Sequence, residues 1–463
     1  EIYTLSLHDA LPISSWWENF MQLPEKVNFN WQSVLQKALI ENTINIHEIV
    51  AENSEIAAEL KAANASYEYW DKARYTLLPE NISPELFWSV VKFRRSGLYA
   101  EKIKIGIHIF KYLINPEILK KLYFIEKFNA SSSFALDEQN EYRANAAMEE
   151  AAASSRLEGA DITAKTAKEI LRTNASPSNE SESMVINNYK ALVFMEKNTD
   201  KELSLELIKQ LYRIIADSQS RDIFRQEGHS VRVVDIRDDA VLYEPPKSAD
   251  IETLLLSLCD YINADTDTNP VIKAAALHFL FAYIHPFRDG NGRAARILFY
   301  WYALKKGLGA FKYLPVSKTL RLIPSLYAKA FLYTEMDEND LTYFINFHLD
   351  VLAESVNSFE EYVRQSKLSM PEKKIPDVSG VKLNLRHKSI LRDFALNRQQ
   401  RNIEYFKNKL GIVYETARKD MMYLTKKGLL SKTKKSKEFF YSLSRKSLKK
   451  LAQEENRVCG QKN

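Results

Sequence analysis

Cysteine is nearly absent. The 463 residues contain two, Cys259 and Cys459. That is too few for a disulfide framework or a cysteine metal site, and it fits a reducing cytoplasmic setting. Cys259 lies in the apolar stretch 254–261 and reads as a small buried hydrophobe. Glycine is scarce at 12 residues, which argues against a glycine-rich all-β fold. Long apolar runs are also missing. The best candidate, 274–284, is interrupted by His278 and falls short of the ~18–20 residues that a membrane span needs. No initiating methionine is present. Residues 1–14 resemble one reading frame of a common sequencing adapter. They have no basic leading segment, and Asp9 breaks their apolar stretch, so they do not read as a secretion signal. They are set aside as non-native.

Apolar residues recur at helical spacing over most of the length, so the chain is expected to be mostly α. The net charge of +5 hides an asymmetry. Residues 381–463 hold 22 Lys/Arg against 7 Asp/Glu, a net of +15, which leaves −10 on the rest. A basic tail on an acidic body suggests a nucleic-acid module joined to something else.

The length suggests about three domains. The pattern from Trp16 to about Ala130 is helical throughout, with helices over 34–39, 44–63 and 86–93 and another starting near Pro116. An Ala-rich helix over 144–157 should end at Gly159. Residues 174–183 read as a loop, and 185–196, 203–215, 251–262 and 271–285 as helices. Between Phe224 and Pro246 the helical period fails. Val231, Val233, Val234 and Ile236, then Val241, Leu242 and Tyr243, flank a polar turn and predict a β-hairpin. The expected division is an N-terminal helical region over 15–140, a helix over 141–160, a core over 161–370, a linker over 371–382 and a tail domain over 383–463.

The densest chemistry lies at 285–296, H-P-F-R-D-G-N-G-R-A-A-R. An apolar helix ends at His285, and a new helix begins after a glycine-containing turn. Backbone N–H groups at a helix start form an anion site. Gly290 and Gly292 let the backbone close on phosphate oxygens. Arg293 and Arg296, one turn apart, add phosphate donors. Asp289 can hold Mg²⁺ against the same phosphates, and His285 can take a proton near neutral pH.

This stretch resembles the signature of the Fic family, H-x-F-x-[D/E]-G-N-G-R-x-x-R, at every fixed position. The wider resemblance runs from about Tyr67 to His348. It includes Tyr69-Trp70-Asp71-Lys72 and Asp340-Leu341-Thr342-Tyr343-Phe344-Ile345. It implies a Fic-type helical core whose His285 is the general base and whose Phe287 packs inward. Asp289 would bind Mg²⁺, and Gly290, Asn291 and Gly292 would cradle the α- and β-phosphates. Arg293 would grip the phosphates near the reacting centre, and Arg296 the γ-phosphate. The implied reaction moves AMP from ATP onto a Ser, Thr or Tyr hydroxyl of a target protein and releases pyrophosphate. The hairpin resembles the family's flap, which would present the target hydroxyl. Val231, Arg232, Val233 and Val234 would then lie by the nucleotide. His278, Tyr300 and Trp301 read as core, and Tyr327 is a candidate for the adenine pocket.

Ser154-Ser155-Arg156-Leu157-Glu158-Gly159 matches the family's inhibitory motif, [S/T]-x-x-x-E-[G/N]. Glu158 would pair with Arg296 and skew ATP. Residues 383–442 resemble a winged helix, with helices over 388–395, 403–410 and 414–427. A charged turn carrying Lys432, Lys434, Lys435 and Lys437 would then precede a strand. Such a unit binds DNA or serves protein contacts, including a homo-oligomer. Two other functions fit the same residues: a DNA-binding regulator whose core senses nucleotide without turnover, and transfer of UMP or phosphocholine.

Overall fold

Most of the apolar spacing resolves into helices. The computed structural model describes residues 24–45, 49, 55–131, 136–220, 223–227, 233–234, 241–368, 381–397, 399–435 and 438–448. Residues 1–14, most of the expected linker and Cys459 lie outside these.

The N-terminal helices are α1 (Trp31–Ile40), α2 (Ala57–Ala65), α3 (Trp70–Ala73) and α4 (Pro84–Ser96). Asn30 caps α1 by accepting from Ser33 N at 2.8 Å. Ser83 caps α4 by accepting from Leu86 N at 3.2 Å, and Pro84 takes the first helical position, where a missing N–H costs nothing. The single helix expected over 44–63 is not formed. The chain turns after α1, with Asn42 at φ 56°, and the helix described in this stretch is α2.

A second correction follows α4. The region was expected to be helical throughout, yet β1 (Tyr99–Ile105) and β2 (His108–Leu113) pair antiparallel as a hairpin. Ile103, Ile105, Phe110 and Tyr112 alternate into the main core while Lys102, Lys104 and Ile109 face outward. Gly106 turns the chain at φ 57°.

The rest of the body is α5 (Pro116–Ser131), α6 (Leu136–Leu157), α7 (Ala164–Thr173), α8 (Glu180–Glu196) and α9 (Leu205–Ala216), then β3 (Val233–Val234) and β4 (Val241–Tyr243). Helices α10 (Ile251–Asn263), α11 (Pro270–Ile284), α12 (Asn291–Lys305), α13 (Val316–Leu320), α14 (Pro324–Met336) and α15 (Thr342–Leu368) follow. The Ala-rich helix α6 begins earlier than expected, and α8 starts inside the stretch read as a loop. The centre of the body is α11 against α12. Both are buried on nearly every side, including His278, Tyr300 and Trp301. Cys259 is buried in α10, and burial pushes its thiol up to about 12. Among the described residues, no helix is long and apolar enough to cross a membrane.

The tail has three helices, α16 (Leu385–Asn397), α17 (Ile403–Leu410) and α18 (Tyr414–Lys426), and a hairpin, β5 (Leu430–Lys435) with β6 (Glu438–Leu443). They close around their own core of Ile390, Leu391, Phe394, Phe406, Met421 and Leu424. The expected charged turn before a strand is itself a strand, since Lys432, Lys434 and Lys435 lie on β5. Lys437 lies outside the described residues.

The N-terminal helices have a separate apolar core and are joined to the body by buried polar contacts. Lys92 Nζ pairs with Asp337 Oδ1 at 2.7 Å, with side chains 2% and 6% exposed. The Tyr67 hydroxyl donates to Asp340 Oδ2 at 2.6 Å. Arg95 donates to the Tyr343 hydroxyl at 2.8 Å. Tyr69 stacks on Tyr333 at 4.7 Å, and the Tyr333 hydroxyl donates to Asp71 at 2.8 Å. The segments 67–72 and 337–343, far apart in sequence, therefore form one interface. Removing one member of a buried charge pair leaves the other uncompensated, at a cost of about 3–5 kcal/mol. Asp337→Ala should lose that much in urea unfolding, and adding Lys92→Met should recover most of it. Equal stability of Asp337→Ala and the parent would refute the role given to this pair.

Candidate active site

Helix α11 ends at His285, which takes the left-handed conformation at φ 50° and ψ 57°. Its N–H still donates to Phe281 O at 3.1 Å. Its side chain is therefore turned off the helix axis and sits 6% exposed. Nδ1 lies 3.3 Å from Ala282 O. A carbonyl can only accept, so Nδ1 carries the proton and Nε2 keeps its lone pair. Burial first, and then the Arg225 charge, lower the imidazole to about 4. At neutral pH the ring is uncharged and able to accept a proton.

The turn that follows is held from inside. Phe287 is fully buried and stacks on Tyr212 with ring centres 4.2 Å apart. Asn291 accepts from Phe287 N and donates to Phe287 O, both at 2.9 Å. This two-way clamp fixes the loop 287–291. Gly290 is the N-cap of α12 at φ 83°, and a methyl there would come within 3.0 Å of Ile215. The first N–H groups of α12 have no partner inside the helix. Arg293, 3% exposed, donates to Asp289 Oδ2 at 2.7 Å, while its Nε is buried with no partner. A buried donor without an acceptor is costly. The Asp289 side chain is 73% exposed.

Arg296 points the other way, into the end of α6. Its Nε donates to Ser154 Oγ at 2.9 Å, and one terminal nitrogen donates to Ser154 O at 3.1 Å and to Glu158 Oε1 at 2.6 Å. The Arg296 and Glu158 side chains are 3% and 6% exposed. Burial, the largest effect, works against the charged guanidinium, but Glu158 and Tyr327 together outweigh it and hold the group above its usual range. Glu158 lies in the turn just after α6, where Ala160 N donates back to Ser155 O at 3.0 Å and Gly159 adopts φ 88°. Gly292 faces the same carboxylate. A methyl there would overlap Glu158 and come within 3.0 Å of Arg296.

The helix that carries Glu158 is itself pinned. Glu150 is buried, and its carboxylate accepts from Ser317 N at 2.9 Å, from the Ser317 hydroxyl, and from Tyr300 at 2.8 Å. Asn188 of α8 donates to Ala151 O at 3.1 Å.

The structure thus brings together His285, Asp289, Gly290, Asn291, Gly292, Arg293, Arg296 and Glu158. Val231 and Arg232 lie outside the described residues. Val233 and Val234 form β3, paired with β4. Tyr327 is 4% exposed and packed in the core, with its hydroxyl 2.8 Å from His278 Nε2. The same side chain is in hydrogen-bond contact with Arg296, which places Tyr327 beside the site residues.

The sequence reading missed Arg225. Its Nε donates to His285 O at 2.8 Å and its backbone N to Pro286 O at 3.0 Å, and a terminal nitrogen reaches Pro246 O. One side chain therefore ties both ends of the hairpin segment to the histidine turn. Tyr243 of β4 adds a hydrogen bond from its hydroxyl to Tyr283 O. Ser154 and Tyr212 were also passed over, although Ser154 is the first residue of the motif that contains Glu158.

Fold and site together define a mostly helical protein with a buried neutral histidine beside a helix start that has no side-chain cap. Residues 202–303 match the Fic/DOC family, and the chain carries a Fic/DOC domain. Curated relatives include "Protein adenylyltransferase Fic" of Drosophila willistoni, 35% identical over 65 residues, 14% of this chain and 13% of that protein. "Protein adenylyltransferase Fic" of Nematostella vectensis is 41% identical over 56 residues, 12% of this chain and 13% of that protein. The chain thus spans about an eighth of the length of these relatives. Among solved structures, Fic-1 from C. elegans aligns with a TM-score of 0.46 at 17% identity, covering 74% of this chain and 90% of that one. A Fic family protein of Desulfovibrio desulfuricans G20 aligns with a TM-score of 0.44 at 17% identity, covering 72% and 98%.

The depressed histidines have a consequence for stability. His285 is lowered to about 4 and His348 to about 3, and His278 is held well below its usual range, each mainly by burial. Unfolded histidines take up a proton near pH ~6.5, so the unfolded state binds more protons below that point. Stability should be full above pH ~6.5 and fall as the pH drops toward 4. Nitrogen NMR of His285 should show a midpoint near 4, moved upward in Arg225→Ala. A midpoint at the ordinary value in the parent would contradict the buried, neutral assignment.

Proposed function

We propose that the chain is an autoinhibited protein adenylyltransferase that moves AMP from ATP to a Ser, Thr or Tyr hydroxyl of a target protein. The observation that carries the reading is the pairing of a neutral, buried His285 with the phosphate-ready start of α12 across one clamped turn. His285 Nε2 takes the proton of the attacking hydroxyl. The hydroxyl oxygen forms a bond to the α-phosphorus while the bond to the β-phosphate oxygen breaks, and pyrophosphate leaves. Arg293, with its free buried Nε, and the N–H groups of α12 hold the phosphates, so the contribution is positioning and charge stabilisation. The intact Gly290-Asn291-Gly292 favours a nucleoside monophosphate as the transferred group. The adenylyltransferase names of the relatives support the choice of AMP over UMP or phosphocholine.

Mg²⁺ fits the donor set in one way. Among the described residues no cluster of three metal-ligating side chains occurs, and Asp289 offers one exposed carboxylate beside the cradle. Mg²⁺ is commonly held by one or two carboxylates plus substrate phosphates and water. When bound, it would neutralise phosphate charge.

Glu158 is the brake in this reading, because it occupies the guanidinium that the γ-phosphate would otherwise engage. With α-labelled and γ-labelled ATP supplied in parallel, only the α-label should be transferred to protein. His285→Ala should abolish transfer while binding ATP almost unchanged. Glu158→Gly should raise auto-modification about tenfold or more, equivalent to ~1.4 kcal/mol of barrier, and Glu158→Gly with Arg296→Ala should lose that gain. Transfer of the γ-label would sink the AMP assignment. An unchanged rate in Glu158→Gly at saturating ATP would sink the brake.

For the tail we propose a winged helix, on the observation that three helices and a β-hairpin share one core. Arg418 and Lys419 on α18 and Lys432 and Lys434 on β5 are exposed, which suits phosphate contact. Binding to duplex DNA should weaken steeply with salt, and Lys432→Ala with Lys434→Ala should flatten the slope. No gel shift at low salt would leave protein contact as the tail's role.

A further inference from the structure

A second cavity, of about 380 Å³, opens on α6 away from the histidine turn. None of the residues assigned to the candidate active site lines it. One wall is the stripe Tyr142, Asn145, Ala146 and Glu149 of α6, at the spacing of a single helix face. Opposite lie α7, the start of α13 and the middle of α15. The rim is completed by Lys409 of α17, in the tail.

The lining is strongly cationic. Lys168, Arg172, Lys318 and Lys409 face the space against one carboxylate, Glu149. Glu149 pairs with Lys168, and Lys409 pairs with Asp393 at 2.6 Å. Arg172 donates to the neutral Asn145 at 2.7 Å, and its Nε is buried with no partner. Lys318 is exposed. Nearby, burial and the repulsion of Arg156 hold the Arg321 guanidinium below its usual range. A concave surface with excess charge of one sign concentrates the opposite ion. A guanidinium beside ammonium groups is the donor set that suits phosphate.

The remaining surface is aromatic. Tyr142 meets Tyr362 at 5.5 Å and Phe359 at 6.3 Å, and Tyr313 meets Phe359 at 5.9 Å. These rings offer faces and edges to a flat partner. The cavity lies within the range of small-molecule sites, ~300–1,000 Å³.

We infer that this cavity is a second ligand site, for a phosphate-bearing molecule with a flat ring of the nucleoside monophosphate class. The phosphate meets Arg172, Lys168 and Lys318, and the ring lies against Tyr313, Phe359 and Tyr362. The site joins the face of α6 to the tail. The tail is already docked beside it through Arg401 with Glu169 at 2.6 Å and Asn408 with Leu171 O at 3.0 Å.

The test uses the full chain with AMP as the probe. Calorimetry should show an AMP-binding event that weakens at least tenfold in Lys318→Glu and, separately, in Lys168→Gln. Lys318 is exposed, so Lys318→Glu leaves the fold intact, which circular dichroism checks. Adenosine should bind at least tenfold more weakly than AMP. An azido derivative of AMP should label the peptides that contain Tyr313 or Tyr362, and less so in Lys318→Glu. Labelling confined to the 285–296 peptide, AMP affinity unchanged in both variants, or adenosine binding as tightly as AMP would each overturn the site.

Discussion

The pair between Glu158 and Arg296 links the end of α6 to the first turns of α12 across 138 positions of sequence. Both groups are almost fully shielded, so neither can be left alone at small cost. Much of the surrounding geometry follows from accommodating them. Ser154 supplies two further acceptors to the same guanidinium. Glycine stands at 292 because any side chain there would collide with the carboxylate. Glu150, two turns earlier, anchors the helix to Ser317 and Tyr300, so α6 cannot slide without breaking a second buried polar cluster. The same rigidity holds the carboxylate in place against the guanidinium without further ordering.

The histidine turn is built on a different principle. Its one ion pair, Arg293 with Asp289 at 2.7 Å, is open to solvent on the Asp289 side. A backbone–side-chain clamp from Asn291 and a stack of Phe287 on Tyr212 set the loop, and Arg225 locks it from behind through main-chain carbonyls. The Arg225 charge adds to burial, the larger cause, in keeping the imidazole neutral. One residue outside the motif therefore fixes the position of the group inside it and reinforces its neutral state, while holding the base of the hairpin.

The helices of the body and the 285–296 stretch were legible because each carries a local signal: 3.6-residue periodicity, helix-ending glycine, or a dense run of phosphate-binding residue types. The hairpin over 99–113 also had a signal, the alternation in K-I-K-I-G-I-H-I-F-K-Y-L. It was overridden by the helical pattern on both sides of it. The strand β5 had almost none, because Ser431, Lys432, Thr433, Lys434 and Lys435 place little apolar surface on either face. Arg225 and Lys92 could not be read at all. Their roles depend on partners 60 and 245 positions away, and nothing local separates them from ordinary surface cations.

The left-handed backbone at His285 has a bearing on how such a chain would drift. A residue with a β-carbon in that conformation gives up about 1–2 kcal/mol relative to glycine. The imidazole is thus kept at a position where the backbone by itself prefers glycine. Exchange for glycine would relieve that strain, but it would also empty a buried site and remove the hydrogen bond to Ala282 O, so the two effects oppose each other.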